Sequence, residues 1–263
     1  MTILLYLGIN MNSYKISIIT ICRNVAKDLE RTIKSVQYQT YKDYEYIIVD
    51  GNSSDNTVDI INQYESVITK WVSEPDKGIY DAMNKGIKMA SGEWLIMMNA
   101  GDYFAEPDVL EKVFAREIPK GKTFMYSDVY GLRPNGERIL RPLSWEKGNM
   151  IHQTVIYKKS LHQEFGYYHV TKPLIISDYL FFISVPKDQI MKLDDVVIAV
   201  YEGGGVSAQG NWARQQAICA DVVFRRRTFW GMIRYYIWKQ IKGIVPTETK
   251  DKIKLALGIK GNL

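Results

Sequence analysis

The chain has 263 residues, 46% apolar and 24% charged, with 19 glycines and 8 prolines, which excludes a disordered or low-complexity protein and bounds it to one large α/β domain or a domain with an appendage. Of the net charge of +5, residues 225–263 account for +8 (ten Lys and Arg against two acids), leaving −3 for residues 1–224. An acidic body argues against a nucleic-acid partner, and two distant cysteines with three scattered histidines exclude a disulfide framework or zinc site and predict a reducing, cytoplasmic setting.

Residues 1–14 read as an N-terminal extension: the apolar run Ile3–Ile9 has no basic residue before it and is too short for a signal core or a membrane span. Ile16–Ile21 is a buried strand by its unbroken apolar run. Leu29, Ile33 and Val36 then recur at helical spacing. Tyr46–Asp50 is the second strand, and a helix starts at Asp55–Val58, with Ile61 and Tyr64 behind it and Ser53 or Ser54 as its cap. Trp71–Val72 is a short strand, Tyr80–Ala90 a helix with Met83, Ile87 and Ala90 on one face, and the Trp94 run a fourth strand. Strands alternating with helices of this length predict a parallel sheet with right-handed crossovers.

Beyond Asp102 the pattern changes. Pro107–Phe114 reads as a short helix, Phe124–Ser127 as a strand, and Leu132–Leu140 as a hairpin whose Asn135-Gly136 pair supplies the positive φ angles of a tight turn. Leu174–Val185 has helical spacing, Val196–Tyr201 reads as a strand, and Trp212–Phe224 opens a terminal helical region.

The most informative stretch is Trp94–Phe104, an apolar run of strand length that ends in the small-residue turn Asn99-Ala100-Gly101-Asp102. In an open α/β sheet the ligand lies beyond the carboxyl ends of the strands, so this turn delivers Asp102 to a binding crevice. Three more strand ends join the same rim: Ile21-Cys22-Arg23-Asn24, Asp50-Gly51-Asn52-Ser53-Ser54-Asp55 and Glu74-Pro75-Asp76-Lys77-Gly78. Several carboxylates, small residues and a lysine suit a nucleoside diphosphate with a divalent cation.

These blocks resemble the family-two inverting glycosyltransferases of the GT-A fold, particularly those that build bacterial surface polysaccharides of the colanic-acid or capsule type. The resemblance runs from about Lys15 to Ser207, through Ser17–Asn24, Ser35–Tyr41, Tyr46–Thr57 and Glu74–Ile87. It implies a Rossmann-like, mostly parallel sheet with helices on both faces over residues 15–224, a nucleotide half of about 15–105 and an acceptor half of about 106–224. A basic helical extension over 225–263 follows. The activity implied is inverting transfer of a sugar from a nucleotide-diphosphate donor, UDP-linked by expectation, to a hydroxyl of a glycan or lipid-linked glycan, with Mn2+ or Mg2+.

On the donor side the resemblance carries Ile21, Arg23, Asp50, Asp76, Lys77, Asn99, Gly101 and Asp102, with Asp50 on uracil or ribose, Asp76 lining the base pocket and Asp102 as the metal ligand. Asn99 and Gly101 stand where many relatives carry acids, and Gly51 where a second Asp is common, so a metal would lean on diphosphate oxygens. On the acceptor side Met150–Tyr157, Phe165–Tyr168 and Ile176–Leu180 resemble the family pattern. They assign His152 and Gln153 to substrate and Asp178 to the general base, a core histidine satisfied by a neighbour being the alternative for His152 and a helix cap for Asp178. His162, His169, Met97 and Met98 are assigned to structure, and Gly203–Ser207 to a flexible segment near the site.

The tail places Trp230, Ile233, Ile237, Ile241 and Ile244 on one helical stripe with Arg227 and Arg234 beside it and Lys250, Lys252 and Lys254 beyond. It reads as a helix for an anionic membrane surface on the cytoplasmic face, against packing on its own domain or in an oligomer. A nucleotidyltransferase and a non-catalytic nucleotide-sugar-binding protein are the rival functions.

Overall fold

The computed structural model describes residues 15–203 and 212–241, with Thr249 and Ile253. The chain divides into two compact units, 1–205 and 206–263, so Trp212–Phe224 groups with the tail rather than with the acceptor half; the change in charge falls later, at 224/225. The N-terminal extension, Gly204–Ser207, Ile244, Lys250, Lys252 and Lys254 lie outside the described residues.

The first unit opens with four strands, β1 (Ile16–Cys22), β2 (Tyr44–Asp50), β3 (Lys70–Ser73) and β4 (Trp94–Met97). They are separated by helices α1 (Ala26–Gln37), α2 (Thr57–Gln63) and α3 (Ile79–Met89). The pairs β1–β2, β1–β4 and β2–β3 are all parallel, with Cys22 beside Asp50 and Asp50 beside Ser73. All four carboxyl ends therefore meet on one rim, as the alternating pattern predicts. Apolar residues cover both faces of these strands. Ile16, Ile18, Tyr46, Ile48, Trp94 and Ile96 join one core with Leu29, Ile33 and Val36 of α1, while Ile19, Ile21, Ile47, Val49, Leu95 and Met97 join the other with Met83 and Ile87 of α3. Full burial of each Leu or Ile stabilises by roughly 1.5–3 kcal/mol. Gly86 costs α3 about 1 kcal/mol of helix propensity, but a β-carbon there would overlap Ile19, so glycine lets the helix lie on β1.

The sheet continues beyond β4 through β9 (Val155–Lys158), β6 (Phe124–Ser127) and β10 (Ile190–Leu193), in the order β10-β6-β9-β4-β1-β2-β3. β9 is antiparallel to both neighbours. A second sheet has the order β5-β11-β7-β8, from β5 (Tyr103–Phe104), β7 (Val129–Leu132), β8 (Arg138–Arg141) and β11 (Ala199–Tyr201). Short helices α4 (Val109–Phe114), α5 (Leu161–Phe165) and α6 (Ser177–Ser184) complete the unit.

Two local expectations are corrected. Neither Ser53 nor Ser54 caps α2. Asp55 Oδ1 accepts from the Thr57 N–H at 3.0 Å, while Ser53 and Ser54 bond to Asn24 and Asp50. In the hairpin only Gly136 has positive φ (82°); the turn closes with Gly136 N–H to Arg133 O and Arg133 N–H to Glu137 O, so one glycine does what a pair was expected to do.

In the second unit, α7 (Trp212–Val223) and α8 (Phe229–Ile241) are joined by a turn in which the Arg226 and Arg227 amides donate to the Asp221 carbonyl at 2.7 and 3.0 Å. The Arg214 guanidinium lies 5.2 Å from the Tyr235 ring centre. Tyr235 and Trp238 are buried on one face of α8, whereas Trp230 is 68% exposed and Ile237 47%. No helix among the described residues is long and apolar enough to cross a membrane.

Candidate active site

At the β4 end, the Asp102 amide donates to the Asn99 carbonyl at 3.0 Å, closing a tight turn in which Gly101 has φ 103°. That backbone is strained for a residue with a β-carbon, which accounts for glycine where an acid was a family alternative. Thr32 braces the turn by accepting from the Gly101 N–H at 3.0 Å and donating to the Asp102 carbonyl at 2.7 Å. Asp102 itself is buried, and Gln153 Nε2 donates to its Oδ2 at 2.5 Å. Burial pushes this carboxyl above the ordinary range and the charge of Glu202 adds to the rise; Gln153 and the Glu202 N–H act in opposition.

His152 and Gln153 begin the 3-10 turn His152–Thr154 that leads into β9, and since β9 pairs with β4 this turn is carried to the Asn99–Asp102 rim. Asn99 Nδ2 is 2.8 Å from His152 Nε2, and His152 Nδ1 is 3.2 Å from Asp178 Oδ2. The Tyr80 hydroxyl donates to Asp178 Oδ1 at 2.8 Å. Asp178 lies in the first turn of α6, but Ile176 is the cap position and makes no side-chain cap bond, so the carboxylate is turned toward Tyr80 and His152. Burial alone would raise its pKa. The hydrogen bond from His152, with the Tyr80 hydroxyl and the Tyr179 N–H, outweighs burial and holds it below the ordinary carboxylate range. An ionised carboxylate beside a crevice can accept a proton from a hydroxyl.

At the β1, β2 and β3 ends the structure gathers Arg23, Gly51 and Asp76: a β-carbon on Gly51 would overlap Asp76 Oδ2 and lie 3.3 Å from Arg23 Cδ. Asp76 also accepts from the Gly78 N–H at 2.8 Å. Asp50, expected on uracil or ribose, is bonded to serines at the β2 and β3 ends. It is wholly buried, with Oδ2 accepting from the Ser53 N–H at 2.9 Å and Ser73 Oγ at 2.6 Å, and Oδ1 from Ser53 Oγ. It braces the β2 and β3 ends from within. Ile21 likewise offers its backbone, since its side chain joins the core and its carbonyl accepts from the Ala100 N–H at 3.2 Å. Lys77 is exposed, and its backbone N–H donates to Asp81 Oδ2 at 2.9 Å.

Tyr80, Ser53 and Ser73 were not anticipated as site residues, because each reads in the sequence as an ordinary helix, turn or strand-end residue. His162, Met97 and Met98 are buried in the core as expected. His162 sits between Tyr157 and Gly166 at 3.0 and 2.9 Å, and burial pushes its pKa down to about 4.

This rim of strand-end residues accompanies a match of residues 17–172 to the domain described as Glycosyl transferase family 2. The chain belongs to that family. It is 32% identical over 204 residues to a PGL/p-HBAD biosynthesis glycosyltransferase of Mycobacterium bovis (strain BCG / Pasteur 1173P2), covering 73% of this chain and 78% of that protein. Its fold is shared with S. aureus TarS 1-349 in complex with UDP-GlcNAc, at a TM-score of 0.64 and 18% identity over 79% of this chain; the match spans 66% of that TarS chain. The mannosyltransferase PcManGT from Pyrobaculum calidifontis, in complex with GDP-Man and Mn2+, matches at a TM-score of 0.65 and 16% identity, over 95% of this chain and 77% of its own. The GT-A fold expected from the resemblance is borne out, and family 2 membership removes the nucleotidyltransferase alternative.

Within this family 2 chain, a divalent metal has a narrow footing. Among the described residues no group of three or more His, Cys, Asp and Glu gathers as a ligand set. Asp102 supplies one hard anionic donor, which fits a Mg2+ or Mn2+ ion that takes most of its ligands from diphosphate and water rather than one caged by protein.

Proposed function

We propose that this glycosyltransferase moves a sugar from a UDP-linked donor to a hydroxyl of a glycan or lipid-linked acceptor, with inversion at the anomeric carbon. The observation that carries this reading is Asp178, a carboxylate held by Tyr80 and His152 and linked through His152 to Asn99, three residues before Asp102 at the β4 end. A sugar hydroxyl is a weak nucleophile at neutral pH. Asp178 takes its proton as the oxygen attacks the anomeric carbon from the face opposite the departing diphosphate. Tyr80 and His152 hold the carboxylate in place, Asp76 and Arg23 line the nucleoside side, and Asp102 would hold the cation. When bound, that cation supplies positive charge to the leaving diphosphate.

The test is Asp178→Asn, with anomeric configuration read by NMR on a synthetic acceptor. Transfer is expected to fall by on the order of a hundredfold or more while UDP affinity changes little. A retained anomeric configuration in the wild-type product, or near-normal turnover by the variant, overturns the reading.

A second property rests on α8. Phe229, Trp230 and Ile237 are exposed beside Arg225 and Arg234 in a tail of local charge +8, which supports peripheral attachment to an anionic membrane on the cytoplasmic face, where a lipid-linked acceptor would be met.

A further inference from the structure

His152 can satisfy its two neighbours in one neutral form only. Its Nε2 faces the Asn99 Nδ2 at 2.8 Å, and an amide nitrogen can only donate, so Nε2 must be the unprotonated nitrogen. The ring proton of the neutral imidazole is then on Nδ1, which faces Asp178 Oδ2 at 3.2 Å, and the N–H points at the carboxylate. In the other neutral tautomer, with the proton on Nε2, two donors would meet at Asn99 and the Nδ1 lone pair would face the Asp178 carboxylate. If the Asn99 amide is turned over, its oxygen must accept from Nε2–H, and only a doubly protonated imidazolium can then serve both partners. The amide as placed leaves its own Oδ1 buried with no protein partner, so Asn99 forgoes a hydrogen bond on one end while the other end serves His152.

We propose that Asn99 is a positioning residue for the transfer reaction: its amide N–H selects the Nδ1–H tautomer of His152, so that His152 donates one hydrogen bond to Asp178 and keeps that carboxylate aimed. The inference rests on Asp178 being the base. It differs from the sequence expectation that Asn99 contacts the nucleotide sugar. Of the four lone pairs on the carboxylate, Tyr80, His152 and the Tyr179 N–H meet three, so the acceptor hydroxyl has a place to deliver its proton; the O–H bond of the acceptor breaks as the new glycosidic C–O bond forms and the bond to the diphosphate breaks, and the proton ends on Asp178.

The tautomer is measurable directly. With 15N-labelled histidine in the full chain, the three histidine rings give separate signals, and His152→Gln identifies the one of interest. The expected wild-type spectrum has a protonated Nδ1 and an unprotonated Nε2 for His152, the minority form of free histidine. Asn99→Asp, which offers only acceptors, is expected to draw a proton onto Nε2 and so change the His152 signals, and Asn99→Leu to give a mixture of tautomers. In Asn99→Leu kcat is expected to fall about tenfold or more with the donor KM within about twofold.

A wild-type His152 protonated on Nε2 overturns the proposal without need of any variant, as does an unchanged His152 signal in a folded Asn99→Asp protein. A donor KM raised in Asn99→Leu with kcat preserved returns Asn99 to donor binding. Should Asp178→Asn keep normal turnover while the His152 spectra come out as expected, the assignment of the base fails and the tautomer selection by Asn99 stands, so the two failures are distinguishable.

Discussion

Asp102 and Gln153 meet side chain to side chain, Gln153 Nε2 donating to Asp102 Oδ2 at 2.5 Å across the junction of β4 and β9. The residues are 51 positions apart in the chain, and their contact ties the turn after β4 to the turn before β9. Because burial raises the Asp102 pKa and Gln153 opposes that rise, loss of the amide should raise it further. A carboxyl with a raised pKa is protonated as pH falls through that value, and a protonated carboxyl is a poor metal ligand. Gln153→Leu is therefore expected to weaken Mn2+-dependent UDP binding more at pH 6 than at pH 8, by calorimetry. Asp102→Ala should abolish the difference between Mn2+ and chelator at both values. Equal losses at the two pH values for Gln153→Leu, or a persisting metal effect without Asp102, would contradict the assignment.

Gly51→Ala probes the nucleoside side. A methyl group there overlaps the Asp76 carboxylate and presses on Arg23, both of which end flexible side chains on the crevice, so the fold should survive with a loss of no more than about 1–3 kcal/mol. UDP binding is expected to weaken by on the order of tenfold as Asp76 is displaced. Unchanged affinity in a folded Gly51→Ala protein would remove Asp76 and Arg23 from the nucleoside pocket.

His162 should shape acid stability. Its folded pKa of about 4 lies below the unfolded value of about 6.5, so between these values the unfolded chain binds a proton that the folded chain refuses. Its contribution is present above pH 6.5 and is lost as pH falls toward 4, by up to about 3 kcal/mol. Urea unfolding of wild type and His162→Gln across this range should give curves that converge toward low pH. Parallel curves would mean that His162 titrates alike in both states.

Attachment through the tail should combine charge and insertion. Each basic residue near an anionic surface contributes about 1 kcal/mol and is screened by salt, whereas the buried area of Trp230 and Phe229 is not. Vesicles with anionic lipid are expected to sediment the full chain at low salt, less at high salt, and less by about tenfold for Phe229→Ser with Trp230→Ser, with transfer to a soluble acceptor unchanged. Equal sedimentation with zwitterionic vesicles, or none with anionic ones, ends the membrane reading.

Hydrophobic pattern was enough to find β1, β2, β4, α1 and α3, because a strand buried on both faces and a helix buried on one leave local marks in the order of residues. It was poorer beyond Asp102. The helix α5 and the strands β5, β9 and β10 were not resolved, since two to five residues carry too few apolar positions to separate strand, helix and loop. The hairpin was found, but Asn135 was credited with a backbone angle that Gly136 alone adopts.

The order of residues by itself determined the alternating α/β architecture, the rim of four strand ends and the presence of carboxylates on it, because these follow from period and from the parallel direction of successive strands. Only the tertiary structure decided what each carboxylate faces. Asp50 and Asp178 are both acids beside secondary-structure ends, yet Ser53 and Ser73 enclose the first, while Tyr80 and His152 hold the second beside the donor rim. Those partners come from elements up to 98 residues apart. Local sequence specifies where a strand or helix ends; which donors reach the side chain at that end depends on how distant elements pack, and that in turn sets its burial, its charge and its chemistry.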